Sequence, residues 1–369
     1  MDVMDDWTYC KNILPKVSRT FALNIAVLRG DLHRSILVAY LFCRIIDTIE
    51  DATQLNPEIK IRRLMEFSDM LENPHRTASE IESWAKDCAE VDGTVNDLEL
   101  LANTPRVFRV FDSLKMNHQE QIIPSVTKMA QGMGYYQKRF SFGQLNPLGD
   151  LEELEEYCYF VAGLVGEMLC NLFLQELPSI SEEGRTTMQR TAVSFGLGLQ
   201  LTNISKDIVV DRNRGWSYIP KSIIVEKGLT VEEFHAGASM DKNLEILEKL
   251  LHKTRGHLQD ALRFTLAIPR QNILIRLFCI WPLWMAMETV AVLHNNPDLL
   301  NSNANVKIPR STVKRILRRT PPIVASNSLL QKSFDKILGN NILDNPPRFD
   351  LDSLVKRLEN IPLKETSSD

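Results

Sequence analysis

The chain has 369 residues, 44% of them hydrophobic and 24% charged, with a net charge of −4. These are globular proportions that exclude collagen-like, low-complexity and disordered classes, and a near-neutral balance supplies no field to draw in nucleic acid. Six cysteines without a CxxC pair and seven histidines without an HExxH exclude the usual zinc sites and fit free thiols in a reducing compartment.

The first residues, MDVMDDW, are acidic and polar, unlike a signal peptide. From there apolar residues recur at helical spacing through most of the chain, and strand-like alternation is scarce, so the fold class is predicted to be all-α. Turn-forming residues gather around Asn73–Pro74, Ser141–Asp150, Arg212–Pro220, Asn295–Asn303 and Gly339–Pro347. None resembles a flexible linker. One helical domain is therefore expected over residues 1–340, with a loosely packed tail over 341–369.

The first informative stretch is SILVAYLFCRIIDTIED, from Ser35 to Asp51, apolar almost all the way round, as a helix inside a large bundle is. Its polar exceptions Tyr40, Arg44, Asp47 and Asp51 fall at steps of four, three and four, on one stripe, and Glu50 flanks it. Charges there are costly unless paired or bound to metal. Either Arg44 pairs internally with Asp47 beside an acidic helix end, or the carboxylates hold Mg²⁺, which takes one or two carboxylates and completes its shell with phosphate and water.

The pattern returns at Gln200, Asn203, Asp207 and Asp211, at steps of three, four and four, on a predicted helix. Two such stripes facing each other across a helical bundle could hold a cluster of Mg²⁺ ions bridging a substrate diphosphate. RNRGWSYIP follows, with Arg212 and Arg214 for phosphate and Gly215 for a tight turn; it reads as a mobile lid or as a solvated basic loop. Phe278 to Leu293 is the most apolar stretch, but Pro282 and Glu288 interrupt it short of the roughly 20 apolar residues that span a bilayer. The last residues, LKETSSD, offer no tail anchor. A cytoplasmic chain able to touch a membrane surface is expected.

Four segments in order resemble the squalene and phytoene synthases, which join two allylic diphosphates head to head. VSRTFALNI, from Val17, is similar to the family's phosphate-binding motif, and YLFCRIIDTIED to its first aspartate-rich motif. EYCYFVAGLVGEML, from Glu156, is similar to its central helix, and LTNISKDIVVD to its second aspartate-rich motif. The resemblance implies a single all-helical bundle of the class I isoprenoid synthase type with a central cleft. It assigns Asp47, Glu50, Asp51, Asn203, Asp207 and Asp211 to the metal shell, Mg²⁺ or Mn²⁺. Ser18, Arg19, Thr20, Tyr40, Arg44, Gln200 and Arg214 would meet the diphosphates. Tyr157 would sit at the reacting carbons with Arg19 and Arg44, and Val161 and Val165, at four-residue steps from it, would wall the prenyl chain.

The implied chemistry condenses two farnesyl diphosphates to a cyclopropylcarbinyl diphosphate, then rearranges it with hydride from NADPH to squalene, or without reduction to dehydrosqualene or phytoene. FCIWP, with Phe278, Cys279 and Pro282, resembles the FCxxP segment of the squalene-forming branch. VKIPRSTVKRILRR resembles the segment that meets the cofactor phosphate there, which makes Lys307 and Arg310 candidates beside Arg19, Arg44 and Lys206; the alternative is a basic solvated helix that could also rest on anionic lipid. Against the squalene branch, RGWSYIP is closer to the carotenoid form of the lid. Lys206 and Pro309 stand where arginine and a basic residue are common. A monomer is expected. A class I terpene cyclase is the less favoured alternative.

Overall fold

Helix after helix begins on a side-chain cap: Thr77, Thr94, Asp150, Ser181, Thr230 and Asp350 each accept a first-turn backbone N–H, satisfying donors that the helix itself cannot. The chain was analysed as a computed structural model that describes residues 3–141, 143–301, 306–338 and 346–363. Its contacts group it into two units, one of Met1–Phe140, Glu167–Glu176 and Ile361–Asp369, the other of Ser141–Gly166 and Leu177–Asn360.

The first unit holds α1 (Val3–Val17), α2 (Arg19–Ile25), α3 (Gly30–Asp51), α4 (Pro57–Glu72), α5 (Ala78–Asp87), α6 (Val95–Ala102), α7 (Thr104–Asp112) and α8 (Met116–Gln137). Its core is aromatic. Phe42 on α3 meets Phe67, Phe108 and Phe111 at centroid distances of 5.6, 4.9 and 5.3 Å, and all four rings are buried. Rings this large dominate core energetics and fix the depth of α3 against its neighbours.

The second unit contains α9 (Leu151–Cys158), a π turn (Tyr159–Gly163), the start of α10 (Leu164–Gln175), whose residues from Glu167 on belong to the first unit, then α11 (Glu182–Lys206), α12 (Ile208–Asn213), α13 (Lys221–Glu226), α14 (Val231–His235), α15 (Met240–Ala267), α16 (Ile273–Leu293), α17 (Arg310–Arg319), α18 (Asn327–Leu338) and α19 (Leu351–Leu358). α11 and α15 pack along their lengths. They approach closely because Gly198 offers no side chain where a Cβ would stand 3.1 Å from Leu258. Among the described residues the strand content is one short parallel pair, β1 (Asn146–Pro147) against β2 (Trp216–Ser217). All six cysteines are free and buried.

On α16 the fully buried Arg276 donates to the carbonyls of Val324 (2.8 Å) and Ile268 (2.7 Å) and to Asn327 Oδ1 (2.7 Å). A buried guanidinium needs such partners, and here they tie α15 and the turn before α18 to α16. Leu151–Gln175 and Ile273–Leu293 are long and apolar enough to cross a membrane, but most of each apolar stretch is buried inside the protein, as in a core helix. Within the segment expected as a tail, residues 341–345 and 364–369 lie outside the described residues, while α19 buries Leu354 and ion-pairs through Arg357.

Candidate functional site

In the first unit, α3 is unbroken through Asp51, so Tyr40, Arg44, Asp47 and Asp51 do share one helical stripe. Ser18 caps α2 by accepting from Phe21 N at 3.3 Å. A hydrogen bond joins Ser18 to Tyr40, whose phenol burial pushes up to about 12. The Phe21 ring lies 5.1 Å from the Tyr40 ring. The phosphate-binding motif and the first acidic stripe therefore meet at Ser18 and Tyr40. Arg19 and Thr20 are exposed on α2, and the Arg19 guanidinium has no protein partner among the described residues.

Arg44 does not form the direct Arg44–Asp47 bridge that the spacing allowed. Its Nε and Nη2 donate to Asp97 Oδ1 and Oδ2 at 2.8 and 2.9 Å, a bidentate fork that leaves Nη1 outside the pair. Asp97 is buried and also accepts from Thr94 Oγ1 at 2.6 Å. The sequence signal for Asp97 is its place three residues after the capping Thr94, which marks a helix start and says nothing of the arginine it holds.

Asp47 keeps partial exposure, yet burial pushes its carboxyl up to about 7 in spite of Arg44, with the negative charges of Asp51 and Asp97 adding to the rise. Such a carboxyl is one whose ionised form a divalent cation would stabilise. Glu50 is buried at the same helix end, and Lys60 Nζ donates to its carbonyl at 2.8 Å.

In the second unit, the stripe Gln200, Asn203, Asp207 and Asp211 is not on one continuous helix. α11 ends at Lys206, Asp207 has φ −102° and ψ 20°, and α12 starts at Ile208. The bonds Asp207 N to Asn203 O (2.8 Å) and Asp211 N to Asp207 O (2.9 Å) carry the helical spacing across the bend. Lys206 Nζ lies 3.0 Å from Asp207 Oδ2 and 3.3 Å from Asn203 Oδ1, so the lysine neutralises the stripe rather than pointing away from it.

The stripe expected through Tyr157, Val161 and Val165 is also interrupted, because residues 159–163 form a π turn closed by Leu164 N to Tyr159 O. Close packing accounts for it. A Cβ on Gly166 would stand 2.1 Å from Ala192 O, and one on Gly196 2.2 Å from Ala162 O, so the two segments touch backbone to backbone. π turns of this kind are frequent at functional sites. Val161 and Val165 are half-buried beyond Tyr157, which is buried itself.

The Tyr157 hydroxyl donates to Tyr218 Oη at 2.9 Å, and the rings stack at 4.7 Å. Tyr218 was not singled out in the sequence; its signal was its place in RGWSYIP. Part of that segment is packed into the protein. Trp216, Ser217 and Ile219 are buried, Leu148 N bonds Ser217 O at 3.1 Å, Arg212 donates to His235 O at 2.7 Å, and Gly215 takes φ +88°, the region only glycine enters freely. Arg214 is exposed.

On α16, Phe278, Cys279 and Pro282 are buried on the helix that Arg276 anchors. Lys307 and Arg310 are exposed with no protein partner among the described residues. Among those residues no three His, Cys, Asp or Glu side chains converge to hold a metal.

A family model described as squalene/phytoene synthase matches residues 14–312. A squalene synthase of Candida albicans is 32% identical over 326 residues, covering 85% of this chain and 68% of that protein. A squalene synthase of Saccharomyces cerevisiae is 27% identical over 351 residues, covering 95% of this chain and 75% of that one. The solved complex of TcSQS with the ligand BPH1237 is similar in fold, with a TM-score of 0.77 and 24% identity over 97% of this chain and 98% of that one.

Proposed function

The chain belongs to the squalene/phytoene synthase family, whose members are prenyltransferases, and from that premise we propose that it condenses two farnesyl diphosphates through presqualene diphosphate to squalene, with NADPH as reductant. The observation that carries the product assignment is the similarity, over 85% and 95% of the chain, to proteins named squalene synthase.

Mg²⁺ would be held by Asp47, Glu50 and Asp51 in one unit and by Asn203, Asp207 and Asp211 in the other. The raised Asp47 carboxyl, whose ionised form a divalent cation would stabilise, supports this, while Asp207 is paired with Lys206 at 3.0 Å. A Mg²⁺ ion held by these residues would supply the positive charge that helps the diphosphate leave the allylic carbon. Arg19, Thr20 and the outer face of Arg44 would orient diphosphate oxygens, and Ser18 and Tyr40 keep that corner in register. Gln200 and Arg214 would do the same in the second unit.

Tyr157 would stand at the reacting carbons. Its phenol, hydrogen-bonded to Tyr218, would serve there as base or hydrogen-bond donor when the cyclopropane closes. Val161, Val165, Phe278, Cys279 and Pro282 would wall the prenyl chains and exclude the water that would quench a carbocation. Lys307 and Arg310, exposed cations, suit the cofactor phosphate, with Lys206 nearer the diphosphates.

The test is the organic-extractable product from purified protein given farnesyl diphosphate and Mg²⁺, with and without NADPH. Squalene appearing only with NADPH is expected. Dehydrosqualene in both arms would retain condensation and remove the reductive step; a product from a single substrate molecule would replace the reading by a cyclase.

A further inference from the structure

The helix that carries Tyr157 is held from a point 200 residues away in sequence. Arg357 on α19 donates through Nε to Glu156 Oε1 at 2.8 Å and through Nη2 to Glu155 Oε2 at 3.0 Å, while Nη1 donates to Ser353 Oγ at 2.9 Å. Lys253 Nζ on α15 lies 2.6 Å from Glu155 Oε1. The segment leading into α19 is seated on the same helix: a Cβ on Gly256 would stand 2.6 Å from Pro347 O, and the Phe349 ring lies 4.9 Å from the His257 ring.

An anchor is needed at this place for a geometric reason. α9 is eight residues long, and the π turn at Tyr159–Gly163 separates it from α10. A π turn shifts the i to i−4 ladder by one residue, so the face that α9 presents departs from the regular spacing of α10 and is set by what packs on α9 itself. On the far side of the turn, Gly163 and Gly166 lock the chain onto α11. On the near side, the two residues that precede Tyr157 are Glu155 and Glu156, and the Arg357 fork takes both. A planar guanidinium held by two carboxylates fixes orientation as well as distance.

We propose that Arg357 is a positioning residue for Tyr157, and that the α19 segment acts as a strap setting the rotation of α9. This rests on the reading of Tyr157 as the residue at the reacting carbons. None of the polar contacts of α19, to Glu155, Glu156 and Arg190, involves a residue assigned above to the diphosphates or the metal, so the strap is expected to act on turnover and not on binding.

The test compares wild type with R357Q, R357K and R190Q, reading steady-state constants for farnesyl diphosphate and amide hydrogen exchange over residues 151–163. Arg190 pairs with Asp352 on the same α19 across 3.5 Å and is exposed, so R190Q is the control. Expected for R357Q is a fall in kcat of about ten- to a hundredfold, as small misplacements near the chemistry cost, with KM unchanged and exchange in 151–163 accelerated. R357K, which keeps the charge without the fork, recovers part of both, and R190Q changes neither. Should R357Q not fold, E156Q removes the arm nearest Tyr157 and is expected to lower kcat in the same way. Wild-type kcat and exchange in R357Q, or the same change in R190Q, overturns the proposal. Absence of any coupled product from wild type would remove the functional reading alone, and exchange would then decide whether the strap holds α9.

Discussion

At Asp97 one carboxylate holds the Arg44 fork and is itself held by Thr94. D97N keeps the shape and removes the charge, leaving one acceptor oxygen for two guanidinium donors. The expected cost is about 1.5–3 kcal/mol, the usual worth of a hydrogen bond to a charged group, read from denaturant midpoints, together with a higher KM for farnesyl diphosphate because Arg44 is no longer oriented. An unchanged midpoint and KM would mean that the fork is incidental. Titration adds a second residue-scale prediction. Burial holds the imidazole of His257 down to about 3 and that of His235 to about 4, and each accepts or donates to a buried hydroxyl, Ser194 at 2.8 Å and Ser217 at 2.9 Å. In the unfolded chain both would titrate near about 6.5. Below that pH the unfolded state takes up protons that the folded state refuses, so the stability is full above about 6.5 and is lost as pH falls, by at most about 1.4 kcal/mol per unit for each histidine. Urea midpoints between pH 7 and 5 should fall in wild type and fall less steeply in H257N; parallel slopes would show that His257 is not excluded from protonation.

Elements succeed or fail on contacts that no local pattern announces. The α3 stripe was legible because a continuous helix preserves spacing, and α3 has no interruption from Gly30 to Asp51. The stripes through Tyr157 and Asp207 had equally regular spacing, yet a π turn breaks one and a bend at Asp207 the other. Glycine packed against the α11 backbone, a long-range contact, accompanies the first break, whereas the bend at Asp207 has only local contacts beside it, Lys206 with Asn203 and Asp207. Gly163 and Gly166 stand where the chain comes close to α11, and the approach distance belongs to the fold. G166A tests it. Its methyl would have to displace Ala192 O from 2.1 Å, and because both partners are backbone the helices must part, at a cost of about 1–3 kcal/mol or more. The expected result is a lower melting temperature with kcat reduced further than stability explains, since Tyr157 leads into the moved turn. G143A is the control, because nothing lies within 4 Å of that position, although its φ of +74° brings a small local strain of its own. Equal effects of the two would refute the packing account.

On the scale of the whole chain, Ser18 to Asp51 lie in the first unit, and Tyr157, the Asp207 bend, the RGWSYIP segment, Phe278 and Lys307 in the second, while EYCYFVAGLVGEML is divided between the two after Gly166. The all-helical class and the order of motifs were readable because periodicity and cap residues are local. Asp97, Tyr218 and Arg357 were not, because each acts on a partner between 53 and 202 residues away. This distribution also makes the two half-reactions separable by mutation. Lys307 and Arg310 are exposed and pair with no described side chain, so replacing them costs little folding energy and leaves the metal residues and Tyr157 untouched. If they receive the cofactor phosphate, K307Q/R310Q should form presqualene diphosphate at the wild-type rate while squalene formation falls at least tenfold at limiting NADPH, the loss of about one charge-assisted contact, and dehydrosqualene accumulates. Raising NADPH should restore squalene, because only cofactor affinity has changed. A variant with wild-type NADPH dependence would place the cofactor phosphate elsewhere, and one whose total condensation fell would assign the two cations to the diphosphates instead.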